Sequence, residues 1–188
     1  MKKINRIIAG IMAGVTLATA TPITAFADQA TVVTIGADLS KEQKDMMFKY
    51  FGVEESKVNV IKVTNKEERD YLEGVATEAQ IGRKTFSCAY IEETEEGNGI
   101  NVKIANLNMV DSAMIATTLT TAGIYNCNVV AAAPFEVSGT GALTGIMKAF
   151  EKVTGEELDE EKLCNRFASA LLMPKEAVIN EFGISRGK

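Results

Sequence analysis

The chain has 188 residues, a formal net charge of −5 and no histidine. The acidic balance disfavours nucleic acid and anionic lipid as partners, because binding to both requires positive charge. Without imidazole, a self-contained H-E-x-x-H zinc site and the Ser-His and Cys-His catalytic arrangements are excluded. We therefore expect no metal and no cofactor, and the length suits one domain with its own core.

The amino terminus has the three parts of an export signal. A basic stretch over residues 2–6 precedes an uncharged run over residues 7–20, and a small-x-small site ends at Ala27. The apolar run is too short to span a bilayer comfortably. We expect cleavage between Ala27 and Asp28, which leaves 17 basic and 25 acidic residues, a net charge of −8 and no membrane span.

The first half of the expected mature chain alternates between strand and helix. TVVTIG, residues 31–36, is a β-branched run that predicts a strand. Ser40 and Gln43 then have capping-box spacing, and Gly52 is placed to end the helix that they begin. The pattern repeats with VNVIKV, residues 58–63, followed by a second helix that opens on a Thr-x-x-Glu box.

Two alternating runs follow, TFSCAYIE over residues 85–92 and GINVKIANL over residues 99–107. The acidic, glycine-containing segment between them predicts a hairpin of two antiparallel strands. Its carboxylates could ligate a hard cation such as calcium, but they lack the Asp-rich spacing of calcium loops, and a solvated turn is the favoured interpretation. These acidic residues are Glu92, Glu93, Glu95 and Glu96.

The remaining pattern is helix, strand, helix. MVDSAMIATTLTTAG predicts a well-buried helix, and the continuous apolar run NVVAAAPF, residues 128–135, predicts a buried strand. A glycine-rich turn then leads into another helix. The order predicts an α/β fold, in which a mixed sheet of about five strands is covered by helices. We expect this domain to occupy residues 28–156, followed by a helical segment over residues 157–188.

The turn SGTGALTG is a candidate anion site. Glycines let backbone amides approach a phosphate or carboxylate, and the following helix directs its positive dipole end there. The spacing is that of neither a dinucleotide fingerprint nor a P-loop. A structural strand-to-helix turn, capped by Ser or Thr, is the favoured alternative. The four candidate anion-binding residues are Ser138, Gly139, Thr140 and Gly141.

Three cysteines, Cys88, Cys127 and Cys164, allow two interpretations. Buried free thiols are favoured, since cysteine packs as a small hydrophobe. A disulfide between Cys88 and Cys127 is the alternative, and it requires that they lie on neighbouring strands.

Without histidine, a Ser-Lys dyad is the remaining route to nucleophilic catalysis. Ser138 with Lys148, or Ser112 with Lys103, would serve only if the fold brought each pair within hydrogen-bond reach. Neither pair has the S-x-x-K spacing, and serines that precede helices are usually caps.

The segment NRFASALLMP resembles the region that follows the active-site motif in the ImmA/IrrE-type metallo-endopeptidases, over about residues 161–175. In that family a glutamate shortly before the Asn supplies the third zinc ligand, but here the corresponding position is Leu163. The alternative is an amphipathic helix that packs on the domain. Its apolar face comprises Leu163, Phe167, Ala170 and Leu171.

The body of the chain resembles the YpuA-like family of exported Gram-positive proteins, known only as a domain of unknown function. The matching stretches include TIGADLSKEQKDMMFKYFGV, IGRKTFSCAYIEE and NVVAAAPFEVSGTGALTGIMKAFE. The resemblance implies secretion and an extracellular or envelope setting, and it implies no activity.

Two hypotheses about function follow. The first is a non-enzymatic exported domain that binds an extracellular or envelope partner at the cell surface or in the medium. The alternative is a hydrolase, either a degenerate zinc endopeptidase or an enzyme of the Ser-Lys type.

Overall fold

A computed structural model describes residues 31–74 and 76–154, which form one mixed five-stranded sheet with helices on both faces. The predicted α/β class is therefore confirmed. The expected export signal with its cleavage site, and the expected helical segment over residues 157–188, lie outside the described residues. Within the described ranges, no helix is long and apolar enough to cross a membrane.

Five strands and five α-helices make up the described structure. The strands are β1 Thr31–Gly36, β2 Asn59–Val63, β3 Cys88–Glu93, β4 Ile100–Leu107 and β5 Cys127–Val137. The helices are α1 Lys41–Phe51, α2 Asn65–Tyr71, α3 Glu78–Ile81, α4 Ser112–Thr121 and α5 Thr140–Thr154, with a 3-10 turn at Glu55–Lys57. The sequence pattern does not predict α3 or the 3-10 turn, because neither is long enough to show a period.

The predicted caps define the ends of the early helices. Ser40 N–H donates to the Gln43 side chain at 2.8 Å, and Gln43 N–H donates to Ser40 Oγ at 3.3 Å. The same reciprocal box joins Thr64 and Glu67 at the start of α2. Gly52 ends α1 with φ of 73°, a left-handed conformation that glycine adopts without strain.

The predicted hairpin of β3 and β4 is wrong, because β5 lies between them in the sheet order β2-β1-β3-β5-β4. β5 pairs antiparallel with β3 and parallel with β4, so α4 is the crossover that connects two parallel strands. The apolar run of β5 suits the interior position, where Val129 and Ala131 are buried on one face and Ala132 on the other. β4 carries Asn101 and Lys103 as exposed residues, and such polar side chains suit an edge strand.

The helices are distributed unequally over the two faces. α4 and α5 pack on one face, over Ala89, Val129 and Ala131. α1 packs on the other, over Val33 and Cys88. β1, β2, β4 and β5 all run in the same direction. In the order β2-β1-β3-β5-β4, the β1-α1-β2 and β4-α4-β5 crossovers both move one strand toward the β2 edge of the sheet. Their helices lie on opposite faces, so one crossover has the left-handed form that is rare in parallel units.

The cysteines follow the favoured interpretation of buried free thiols, and the alternative disulfide between Cys88 and Cys127 is not formed. The two residues do lie on neighbouring strands, but Cys88 is opposite Ala132 and Cys127 is opposite Glu93, at the two ends of the β3-β5 ladder. Both thiols are free and buried. Burial raises the pKa of each to about 11, so both stay protonated at neutral pH.

Candidate functional site: the Ser138 turn and its groove

The turn between β5 and α5 contains the four predicted anion-binding residues. Gly139, Thr140 and Gly141 are buried, and Ser138 alone is half-exposed. The backbone holds the turn against the segment between β4 and α4, since Val110 N–H donates to the Ser138 carbonyl at 2.9 Å. Of these four residues, only Ser138 is accessible to a dissolved ligand. Anion binding therefore stays a prediction for Ser138 alone.

An internal carboxylate occupies the space that an anion would take. Glu68 of α2 has 1% of its surface exposed and lies under the start of α5. Thr140 Oγ1 donates to Glu68 Oε2 at 2.5 Å, and Thr85 Oγ1 donates to Glu68 Oε1. The amide that an anion would seek is also taken, because Ala142 N–H donates to Ser87 Oγ at 2.8 Å. The cap of α5 thus comes from the segment before β3, rather than from Ser138 or Thr140.

The glycines of the turn and of α5 allow the helix to approach this polar cluster and the sheet. A Cβ added at Gly141 would lie 2.6 Å from Thr85 Cγ2 and 3.0 Å from Ser87 Oγ. A Cβ at Gly145, one helical turn later, would lie 2.7 Å from Thr34 Cβ. These separations are far below ordinary carbon contacts. The G-x-G-x-x-x-G spacing is therefore a packing pattern that brings α5 onto β1 and the residues before β3.

Burial raises the pKa of Glu68, and the hydrogen bonds from Thr140 and then Thr85 act in the opposite direction. A buried carboxylate is costly unless it is hydrogen-bonded, and here the segment before β3 and the start of α5 supply the two donors. Glu68 thereby links α2, the segment before β3 and the start of α5. Its role in the fold is to fix the turn that carries Ser138.

A groove of about 450 Å³ opens beside this turn, between α3 and the ends of β4 and β5. Its polar lining comprises Ser138 and Asn108, which follow β5 and β4, and Gln80 and Lys84, which lie in and after α3. The apolar part of the lining comes from Ile81, Met109 and Val137. Among the lining residues in the described part of the chain, Lys84 alone is charged, so the groove favours a ligand with an anionic group.

Two aromatic rings support Lys84 at the groove. Its Nζ lies 6.0 Å from the centroid of the Phe86 ring, a cation-π contact. Phe86 in turn packs edge-to-face on Phe135, with ring centroids 5.1 Å apart. Phe135 is 42% exposed, so this pair extends the apolar surface beyond the groove.

Neither predicted Ser-Lys pair is brought together. Ser138 Oγ is hydrogen-bonded to Thr140 Oγ1 at 3.0 Å, whereas Lys148, two turns along α5, binds the Lys62 carbonyl at 2.8 Å and the Glu67 carboxylate.

The second pair is separated by the sheet. Lys103 is opposite Val130 in the β4-β5 ladder, which turns its side chain toward the α1 face. Ser112 begins α4, which packs on the other face. The alternation of side chains along a strand thus keeps the two residues apart.

The acidic segment between β3 and β4 forms a turn with exposed side chains at Glu93, Glu95 and Glu96. Glu92 points back onto the sheet and accepts a hydrogen bond from Asn128 Nδ2 at 3.0 Å. Within residues 31–74 and 76–154, no three acidic or cysteine side chains converge as a metal site.

Sequence reasoning misses Glu68 and Lys84 as site residues. Glu68 is four residues before the buried Leu72, so both lie on one face of α2. A carboxylate on this apolar face was the sequence signal that could have identified Glu68 as a buried residue. Lys84 lies in the irregular segment before β3 and shows no pattern. Its place at the groove depends on α3, which is itself too short to predict.

Comparison with known proteins agrees with the sequence resemblance. A family model described as "Protein of unknown function (DUF1002)" matches residues 35–179. The chain is 38% identical over 155 residues to a protein of Bacillus subtilis (strain 168) described as "Uncharacterized protein YpuA". This alignment covers 81% of the chain and 53% of the relative, so the chain spans about half the length of the relative. No solved structure matches. The chain belongs to the DUF1002 family of proteins of unknown function.

Proposed function

We propose that this protein is an exported, non-enzymatic binding domain that holds a small anionic ligand in the groove beside Ser138. It acts in the cell envelope or in the medium. The observation that carries the proposal is that Lys84, the charged lining residue, lines the same groove as the Ser138 hydroxyl. The groove volume of about 450 Å³ falls within the range of small-molecule sites.

The surroundings of the groove support binding rather than nucleophilic catalysis. The Ser138 hydroxyl is hydrogen-bonded to Thr140. The candidate base for Ser138, the Lys148 amine, is instead paired with the Glu67 carboxylate. Glu68, the buried carboxylate, is covered by Thr85 and Thr140 and does not line the groove. A fixed wall of hydroxyl, amide and ammonium groups recognises a ligand without providing an activated nucleophile.

The first test concerns the charge of the groove. We expect inorganic phosphate, sulfate or small carboxylates, added to ¹⁵N-labelled residues 28–188, to shift the amide resonances of Lys84, Asn108 and Ser138. Lys84→Ala should weaken this binding about tenfold, because a charge-assisted hydrogen bond contributes about 1.5–3 kcal/mol. Lys57→Ala is the matched control, since the Lys57 side chain is 70% exposed and lies outside the groove. Equal affinities of wild type and Lys84→Ala would contradict the assignment.

Export is tested separately. The basic stretch, apolar run and small-residue site of residues 1–27 are the support for it. We expect mass spectrometry of the culture medium or envelope fraction to find a chain that begins at Asp28. Recovery of only the intact chain from the cytosol, still carrying Met1, would rule against an extracytoplasmic role.

A further inference from the structure

Among residues 31–74 and 76–154, α1 covers only part of its face of the sheet. α1 lies over β1 and β3 and reaches Ala132 of β5, which leaves the outer part of this face open. We define the open face by six residues that point to this side of β3, β5 and β4. They are Tyr90, Glu92, Val130, Asn128, Lys103 and Asn101. Each is half-exposed or exposed.

A run of aromatic rings leads from α1 onto the open face. Tyr50 is 57% exposed at the end of α1, and its ring centroid is 5.9 Å from that of Phe51. Phe51 lies 6.1 Å from Tyr90 at an interplanar angle of 32°. The exposed Tyr50 and the half-exposed Tyr90 thus form two accessible ends of one continuous aromatic surface. The Tyr50 ring is inclined at 63° to that of Phe51, so the row presents separate ring faces and edges beside polar groups.

Polar side chains form a row beside the rings. Glu92, Asn128 and Asn101 are in lateral register on three adjacent strands, and Asn128 donates to Glu92 at 3.0 Å. Burial, and next the charge of Glu92, raise the pKa of Tyr90, as expected where the phenol lies beside that carboxylate. Carboxylate and carboxamide groups together accept and donate hydrogen bonds in one plane. The row is therefore equipped to bind a ligand rich in hydroxyl and amide groups.

We propose that the open face, with Tyr50 and Phe51, binds an N-acetylated polysaccharide of the cell envelope. A pyranose ring presents C–H bonds to an aromatic face while its hydroxyl and acetamido groups point sideways, which matches rings flanked by Glu92, Asn128 and Asn101. The net charge of −8 expected for the mature chain and the central Glu92 disfavour nucleic acid. The inference rests on the proposed function for export, which places the protein among such glycans, and it uses a different surface from the groove.

The test uses chitotetraose, a soluble tetramer of N-acetylglucosamine, titrated into residues 28–188 by calorimetry. The chain has no tryptophan, so tyrosine fluorescence provides a second signal from its four tyrosines. We expect binding by the wild type, and about tenfold weaker binding by Tyr50→Ala and Tyr90→Ala, since an aromatic contact contributes up to about 1.5 kcal/mol. Tyr90→Phe keeps the ring and should stay within about twofold of the wild type.

Tyr125→Ala is the matched control, because Tyr125 is 62% exposed in the loop before β5 and is not one of the three rings that contact one another in the row. Lys84→Ala should bind chitotetraose as the wild type does, so failure of the groove and failure of the open face are separable. No chitotetraose binding, or equal losses in Tyr50→Ala and Tyr125→Ala, would overturn the proposal. A wild-type dimer in sedimentation that Tyr50→Ala dissociates would assign the face to a second copy instead.

Discussion

Replacing Glu68 by alanine is expected to lower the free energy of unfolding by about 3–5 kcal/mol. The change removes the acceptor of two buried hydroxyls, Thr85 and Thr140, and each orphaned buried group costs about 1–3 kcal/mol. The space left by a fully buried side chain adds a cavity cost. Urea unfolding followed by circular dichroism measures the change.

Glu73→Ala is the control for this prediction, since Glu73 is an exposed carboxylate just beyond the end of α2. We expect that control to stay within about 0.5 kcal/mol of the wild type. A loss below about 1 kcal/mol in Glu68→Ala would show that the Ser138 turn does not depend on the carboxylate. Perturbed groove resonances in a still-folded Glu68→Ala would instead support the link between the buried cluster and the groove.

Glu68→Gln separates the charge of this side chain from its shape. Because burial raises the pKa of Glu68 above 4.5, the folded state retains the proton more readily than the unfolded state does. The associated stability is fully present below pH 4.5 and is lost as pH rises through the folded pKa. As the pH rises from 4.5 through the folded pKa of Glu68, the free energy of unfolding of the wild type should therefore fall relative to that of Glu68→Gln. A constant difference between the two proteins across the pH series would contradict the raised pKa.

Local sequence signals predicted the elements of this fold better than their arrangement. Ser40 with Gln43, and Thr64 with Glu67, specify helix starts through backbone hydrogen bonds that span only three residues. The pairing of β5 with β3 depends on a choice between two partners that are remote in sequence. The acidic turn favoured the local choice, a hairpin, whereas the observed order places the apolar β5 run in the interior of the sheet, between β3 and β4.

The candidate site shows the same division. The SGTGALTG pattern correctly predicted a strand-to-helix turn. It also correctly indicated that the glycines let other atoms approach the backbone closely. The partner that approaches was not predictable. Glu68 comes from α2 and Thr85 from the segment before β3, and neither carries a local signal that points toward residue 140. The glycines therefore let α5 approach the Glu68 cluster and the sheet. The sequence pattern alone did not identify either of these neighbours.

Gly145→Ala is expected to cost about 2–3 kcal/mol, although alanine is the better helix former. In an open helix interior the same change would stabilise the protein by about 0.5–1 kcal/mol. Here the new methyl group would lie 2.7 Å from Thr34 Cβ and closer still to its hydroxyl. Thr34 is fully buried on β1 and accepts a hydrogen bond from Ala89 N–H at 3.1 Å, so it cannot move aside freely. Overpacking of this kind typically costs about 1–3 kcal/mol.

A double-mutant cycle with Thr34→Ala determines whether this contact is the cause. Thr34→Ala removes the hydroxyl and the methyl group that meet the new side chain and retains Cβ, and it also leaves Ala89 N–H without its acceptor. The double variant should therefore be more stable than the sum of the two single losses predicts, by at least about 1 kcal/mol. Strictly additive losses would show that neither the hydroxyl nor the methyl group of Thr34 causes the cost of Gly145→Ala. The requirement for glycine at position 145 would then rest on the contact with Thr34 Cβ alone.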